Sequence, residues 1–199
     1  PSGAEALRNT LDTLAELFAR RNKRLQLWDD RYINAYKSSF QHAYIPGSAM
    51  RGLSFSLEFF CADPFWYPVD GPSSQTQNLS SSDTLVDGPN GIYKKAFTLS
   101  NDGTTDVFIK TLVTADTNPL TTCAVRNLTT GRMWIYEGTI GAGKTLEVNS
   151  LTFVVKNDGT EDLANWQGDF LYLKPGINNM EIEGKVPASY FFEWTKRWY

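Results

Sequence analysis

The sequence predicts a mainly β protein in two units, the first carrying one α-helix. Three observations lead there. Apolar residues at helical spacing occur in a single stretch near the start. Beyond it, short runs rich in β-branched and aromatic residues recur between turn-forming residues, the pattern of a sandwich or barrel. Between two such regions, residues 68–90 shift toward Pro, Gly, Ser and Asp, which reads as a linker and places a boundary near residue 69. A fold of 199 residues buries roughly 70% of its unfolded surface and needs no disulfide or metal staple.

The helix comes first. Ser2 and Glu5 have the spacing of a capping box, and Leu7, Leu11, Leu14, Ala15 and Phe18 form one apolar stripe, as on a helix packed against a sheet. The basic run Arg20-Arg21-Asn22-Lys23-Arg24 stands at the end of this helix, where cations complement its dipole. Residues 25–45 then read as two strands joined at Asp29-Asp30, and Pro46-Gly47 marks a turn. Leu53, Phe55, Leu57 and Phe59 alternate with Ser54, Ser56 and Glu58, a strand with one buried face. It stops at Asp63-Pro64, since proline has no N–H for a ladder. Phe65, Trp66 and Tyr67 follow, so this exit is expected to pack against a second domain or another chain. In the linker only a short strand near residues 77–80 is expected. From Ile92 onward the predicted strands are 93–99, 107–113, 123–128, 133–136, 145–155, 170–173 and 180–183. Asn101-Asp102-Gly103, Thr130-Gly131 and Asn157-Asp158-Gly159 are among the turns between them. Residues 190–199 are strand-like and aromatic, and are expected to dock on the first unit.

Chemistry is sparsely signalled. Gly138-Thr139-Ile140-Gly141-Ala142-Gly143-Lys144-Thr145 fits the phosphate-loop pattern. That loop needs a helix at its end to hold the phosphates, and the residues that follow, Leu146-Glu147-Val148-Asn149, read as strand. A Gly-rich hairpin turn with a solvated Lys144 is therefore expected. His42 is the only histidine and has no nucleophile elbow to serve. Cys61 and Cys123 lie in apolar strand patterns and read as free buried thiols of a reducing compartment. The carboxylate pairs Glu161/Asp162 and Glu181/Glu183 read as solvated faces. Asn78-Leu79-Ser80 and Asn127-Leu128-Thr129 are glycan sequons only in a secretory context. No metal-ligand or cofactor signature is present, so none is expected. A net charge of -3 argues against direct nucleic-acid recognition, and no run of 18 apolar residues exists to insert into a membrane.

Taken in order, these features resemble the siphophage distal tail proteins. The likeness rests on the strand that ends in Asp63-Pro64-Phe65-Trp66-Tyr67 and on Val125-Arg126-Asn127-Leu128-Thr129-Thr130-Gly131. It rests also on Gly168-Asp169-Phe170-Leu171-Tyr172-Leu173-Lys174-Pro175-Gly176-Ile177-Asn178 and on the aromatic segment 191–199. The resemblance implies a mainly β fold: a partial β-barrel-type domain with one α-helix, plus a galectin-like β-sandwich. Residues 1–68, joined by a returning segment 187–199, are the implied ring-forming domain, and residues 69–186 the sandwich. The family has further strands ahead of the helix, so the expectation is either that this sequence is a fragment or that the protein is a shortened relative. The implied role is that of a structural virion protein, not an enzyme: a ring that joins the tail tube to the tip hub and to receptor-binding parts. The implied partners are copies of itself in a hexamer, the tail tube protein, the tail-tip hub protein and receptor-binding proteins. Its place is the tail tip of the virion, after assembly in the host bacterial cytoplasm. The interface candidates are Asp63, Pro64, Phe65, Trp66, Tyr67, Phe191, Trp194 and Trp198. The alternative is a carbohydrate-binding β-sandwich module, motivated by aromatics such as Trp134 and Trp166.

Overall fold

A computed structural model describes residues 5, 9–10, 12–13, 23–45, 53–86 and 91–199. The chain is mainly β and divides into two units, Pro1–Val69 and Asp70–Tyr199. In the first unit, Glu5, Asn9, Thr10, Asp12 and Thr13 are helical, and the Thr13 hydroxyl donates back to the Asn9 carbonyl at 2.8 Å. The expected cap Ser2, the stripe Leu7, Leu11, Leu14, Ala15 and Phe18, the run Arg20-Arg21-Asn22 and the Pro46-Gly47 turn lie outside the described residues.

The rest of this unit is a small antiparallel sheet. Strand β1 (Lys23–Trp28) turns at Asp29-Asp30 into the long β2 (Arg31–Tyr44). The first part of β2 pairs with β1, Lys23 opposite Ala35. Its remainder, residues 36–44, pairs with β3 (Leu53–Phe60), with a bulge between Lys37 and Ser39. The short β4 (Tyr67–Pro68) returns to β2, Tyr67 opposite Tyr32. Where these pairings concentrate, Ile33 and Ala35 are buried.

The second unit is a sandwich of two antiparallel sheets. In chain order its strands are β5 (Ser73–Leu79), β6 (Thr84–Val86), β7 (Ile92–Asn101), β8 (Val107–Ala115) and β9 (Cys123–Asn127). Then come β10 (Arg132–Tyr136), β11 (Thr145–Asn149), β12 (Val154–Asn157) and β13 (Thr160–Glu161). A 3-10 turn, Leu163–Asn165, leads to β14 (Trp166–Gly168), β15 (Tyr172–Leu173), β16 (Gly176–Gly184) and β17 (Ala188–Trp194). One sheet runs β14-β10-β9-β16-β7-β6; the other runs β13-β12-β11-β8-β17-β5, with β15 pairing β8. Alternation sorts the faces. In β8, Val107, Ile109, Thr111, Val113 and Ala115 point inward; in β17, Ala188, Tyr190, Phe192 and Trp194 do. Trp134 and Tyr136 of the facing sheet are fully buried with them. Complete burial of a side chain such as Phe192 contributes about 1.5–3 kcal/mol, so these inward rows supply most of the unit's cohesion.

Several expectations need correction. Residues 68–90 are not simply a linker, since β5 and β6 lie there; β5 is too polar to announce itself (Ser-Ser-Gln-Thr-Gln-Asn-Leu) and is held by pairing with β17. The predicted strand over 145–155 is two strands. They are separated by the turn 150–153, where the Asn149 side chain accepts from the N–H groups of Leu151 and Thr152 at 3.1 and 3.3 Å. The Asp158-Gly159 turn between β12 and β13 follows its sequence: both residues have positive φ, 49° and 82°, as a tight hairpin turn requires. Most consequentially, residues 187–199 belong to the second unit. They build β17 into the middle of a sheet of the second, between β5 and β8. Seven consecutive registered pairs on the β5 side offer a better home for an aromatic strand than docking on a rim.

Candidate assembly surfaces

The strand exit after β3 is a folded turn. The Asp63 carboxylate accepts from the Phe65 N–H at 3.4 Å, the geometry of an Asx turn, and it also accepts the hydroxyl of Tyr67. Tyr67 stacks on Tyr32 of β2, ring centroids 5.9 Å apart, and the Val69 N–H donates to the Asp30 carbonyl at 2.9 Å. Phe65, Trp66 and Tyr67 are half-buried and Pro64 exposed. Asp63 thus acts as the hinge pin that turns the chain back onto β2.

Beyond the part of β2 that β1 covers, β2 and β3 form a two-stranded arm. Phe40, His42, Phe55 and Leu57 share one of its faces; Phe40 lies 5.9 Å from His42 and 6.4 Å from Phe55. The alternation read from sequence is present, but its burial is not. Phe55 is 53% exposed, and Phe60 on the opposite face is 61% exposed. A two-stranded ribbon has no layer of its own to cover such a face, and two-stranded hairpins are marginal in water. His42 is exposed on this arm.

Of the candidates at the other end of the sequence, Trp194 belongs to the sandwich core and presents no rim. Phe191 is half-buried on the outer face of its sheet. The segment after β17 clamps the loop 102–106. Lys196 pairs with Asp102 at 2.8 Å, Arg197 donates to the Asp106 carbonyl at 2.9 Å, and the Trp198 indole N–H donates to the Asp102 carbonyl at 3.2 Å. Lys196 holds the Asp102 carboxyl below the usual carboxylate range, helped by the Ser100 hydroxyl. Gly103 is what permits this approach: a Cβ there would stand 2.5 Å from the Arg197 carbonyl oxygen. Gly103→Ala is therefore expected to lift the segment off, at a cost of about 2 kcal/mol, with a red shift of Trp198 emission and faster amide exchange at Thr104; an unchanged Trp198 spectrum would contradict the clamp.

The Gly138–Thr145 stretch is not a phosphate loop, and it is not a hairpin turn either. It carries the chain from β10 in one sheet to β11 in the other, tied by mutual bonds between Leu120 and Ile140 at 2.8 and 2.9 Å. Thr145 opens a strand, and Lys144 pairs with Asp158 at 2.8 Å, which raises its pKa. Glu181 and Glu183 are not solvated: Lys94 donates to Glu183 at 2.7 Å and Arg126 lies within 3.8 Å of both. Cys123 is buried, and desolvation pushes its thiol pKa far up. Trp134 is fully buried and offers no face to a sugar ring, and one face of the half-buried Trp166 is stacked on Phe170 at 4.5 Å.

A feature the sequence reading missed lies at Tyr136. Its buried phenol donates to the Asp162 carboxylate at 2.5 Å and accepts from Asn157 at 2.9 Å, and Asn165 donates to Asp162 at 2.8 Å. Burial and the neighbouring carboxylate push the Tyr136 pKa up; the Tyr136 hydrogen bond, then those of Asn165, pull Asp162 down. A carboxyl depressed on folding contributes stability that is complete above its unfolded value, about 3.9, and is lost as pH falls through the folded one. Asp162→Asn is thus expected to be less stable than the parent at pH 7 and to show a shallower loss below about pH 4. Parallel acid limbs in urea titrations would count against this knot.

The two sequence segments 125–131 and 168–178 meet at one end of the sandwich. Asn127, Asn178 and Asn101 are fully buried there. The Asn127 amide donates to the Tyr172 carbonyl at 2.8 Å and to Asn178 at 3.4 Å, while its oxygen accepts from Thr129 and Thr130 N–H at 3.0 and 3.2 Å. Asn178 accepts from the Lys174 N–H at 3.0 Å and donates to the Lys174 and Gly176 carbonyls at 2.8 and 3.1 Å. Asn101 closes its own turn, accepting from Gly103 at 3.1 Å and donating to Thr105 at 2.8 Å. Three amides thereby satisfy the backbone of three loops that have no ladder partners. Burial also removes Asn127 as a glycan acceptor.

Apart from Asn101, this end of the sandwich falls within residues 102–198, which match the family model of the siphovirus-type tail component, C-terminal domain. The second unit belongs to the siphovirus-type tail component family. A tail component is part of the virion. No curated protein sequence matches the chain. Among solved structures, the fold is similar to the crystal structure of the Dit (gp 19.1) protein of phage SPP1, described as a paradigm of the hub adsorption apparatus in phages infecting Gram-positive bacteria. The two share 16% identity with a TM-score of 0.65, over 96% of this chain and 71% of that one. The likeness to distal tail proteins inferred from motifs is thereby supported over the second unit by sequence and over nearly the whole chain by fold.

Proposed function

We propose that the protein is a distal tail component without catalytic activity, which forms a ring at the tail tip through its first unit. The observation that carries this reading is the match of residues 102–198 to a tail-component domain. The exposed faces of the β2–β3 arm add to it. Phe55 and Phe60, together with Tyr36 at 41% exposure, make a surface that a neighbouring copy would cover, and strand edges left open on one chain are closed by pairing across chains. A closed ring presents two different surfaces at each junction, and the arm on one side with the Asp63–Tyr67 turn on the other is the pair proposed here. Phe191 and Trp198 are the proposed contacts of the second unit. The ring, a hexamer, would join the tail tube protein to the hub protein and carry receptor-binding proteins, after assembly in the host bacterial cytoplasm.

Native mass measurement with electron microscopy of the purified chain tests this. A six-fold annulus is expected; a particle that stays monomeric at about 100 µM, a concentration that populates even weak contacts, would overturn it. The carbohydrate-binding alternative has less support, because Trp134 is fully buried and Trp166 stacks one face on Phe170.

A further inference from the structure

We draw no further inference here: the strongest candidate, the exposed aromatic patch at the turn between β11 and β12, where Phe153 holds a left-handed backbone (φ +57°) and Phe108 and Phe170 meet its ring edge-on, carries none because nothing in the structure shows what covers it.

Discussion

Replacing Asn127 by alanine is expected to cost the second unit about 3 kcal/mol, measured as a lower denaturant midpoint at unchanged slope. The side chain is fully buried and joins two loops. Truncation strands the N–H groups of Thr129 and Thr130 and removes the donor that satisfies the Tyr172 carbonyl. Each orphaned buried group costs about 1–3 kcal/mol, and water entering the space offsets part of the sum. Asn178→Ala is expected to cost a similar amount. The double variant falls short of additivity, because the two amides touch at 3.4 Å and share one network. Asn127→Asp keeps the acceptor but turns an oxygen toward the Tyr172 carbonyl. Burial would hold that new carboxyl's folded pKa above its unfolded one, so this variant should be relatively better at pH 4 than at pH 7. A loss below about 1 kcal/mol for Asn127→Ala, the net worth of one ordinary hydrogen bond, would show that solvent replaces the network.

The second large effect concerns assembly. Phe55→Glu with Phe60→Glu is expected to abolish the ring and leave a folded monomer. The two side chains occupy opposite faces of the arm and are more than half exposed, so their replacement removes little buried area from the single chain. At a subunit junction the same change buries two carboxylates without partners, which weakens association by at least about a hundredfold. Sedimentation velocity separates the outcomes. Rings that persist in the double variant would move the junction away from the arm; loss of folded structure would show that the arm holds the unit itself together.

Much of the sandwich is legible because period and punctuation agree. The strands around Ile109, Trp134 and Ile182 alternate cleanly between turns that carry Gly, Asn or Asp. What was missed had other causes. Strand β5 is polar along its whole length except Leu79, so hydrophobic patterning passes over it; only its long-range partner makes it a strand. The division of 145–155 was hidden because Leu151 and Phe153 look like strand residues, and nothing in a phenylalanine announces a left-handed backbone. The segment 187–199 was read by composition, and composition says that a strand must be covered without saying by what. The site was legible in parts. Asp63 and Tyr67 stood out through the proline and the aromatics, and Asn127 and Asn178 stood in motifs. Asn101 was legible only as part of a turn and Asp162 only as a solvated carboxylate, because single polar residues acquire a role only from what folds against them.

The position of β17 has a consequence for how the protein comes into being. Among the described residues, strand β5 finds its ladder partner in residues 188–194, more than a hundred residues downstream. Until these leave the ribosome, β5 has no neighbour and the outer edge of β8 lies open to any passing strand. At about 5–20 residues per second, that gap lasts on the order of ten seconds. A nascent chain therefore carries these open edges through the whole interval, and any polypeptide cut short before Ala188 is left as an unsealed sandwich.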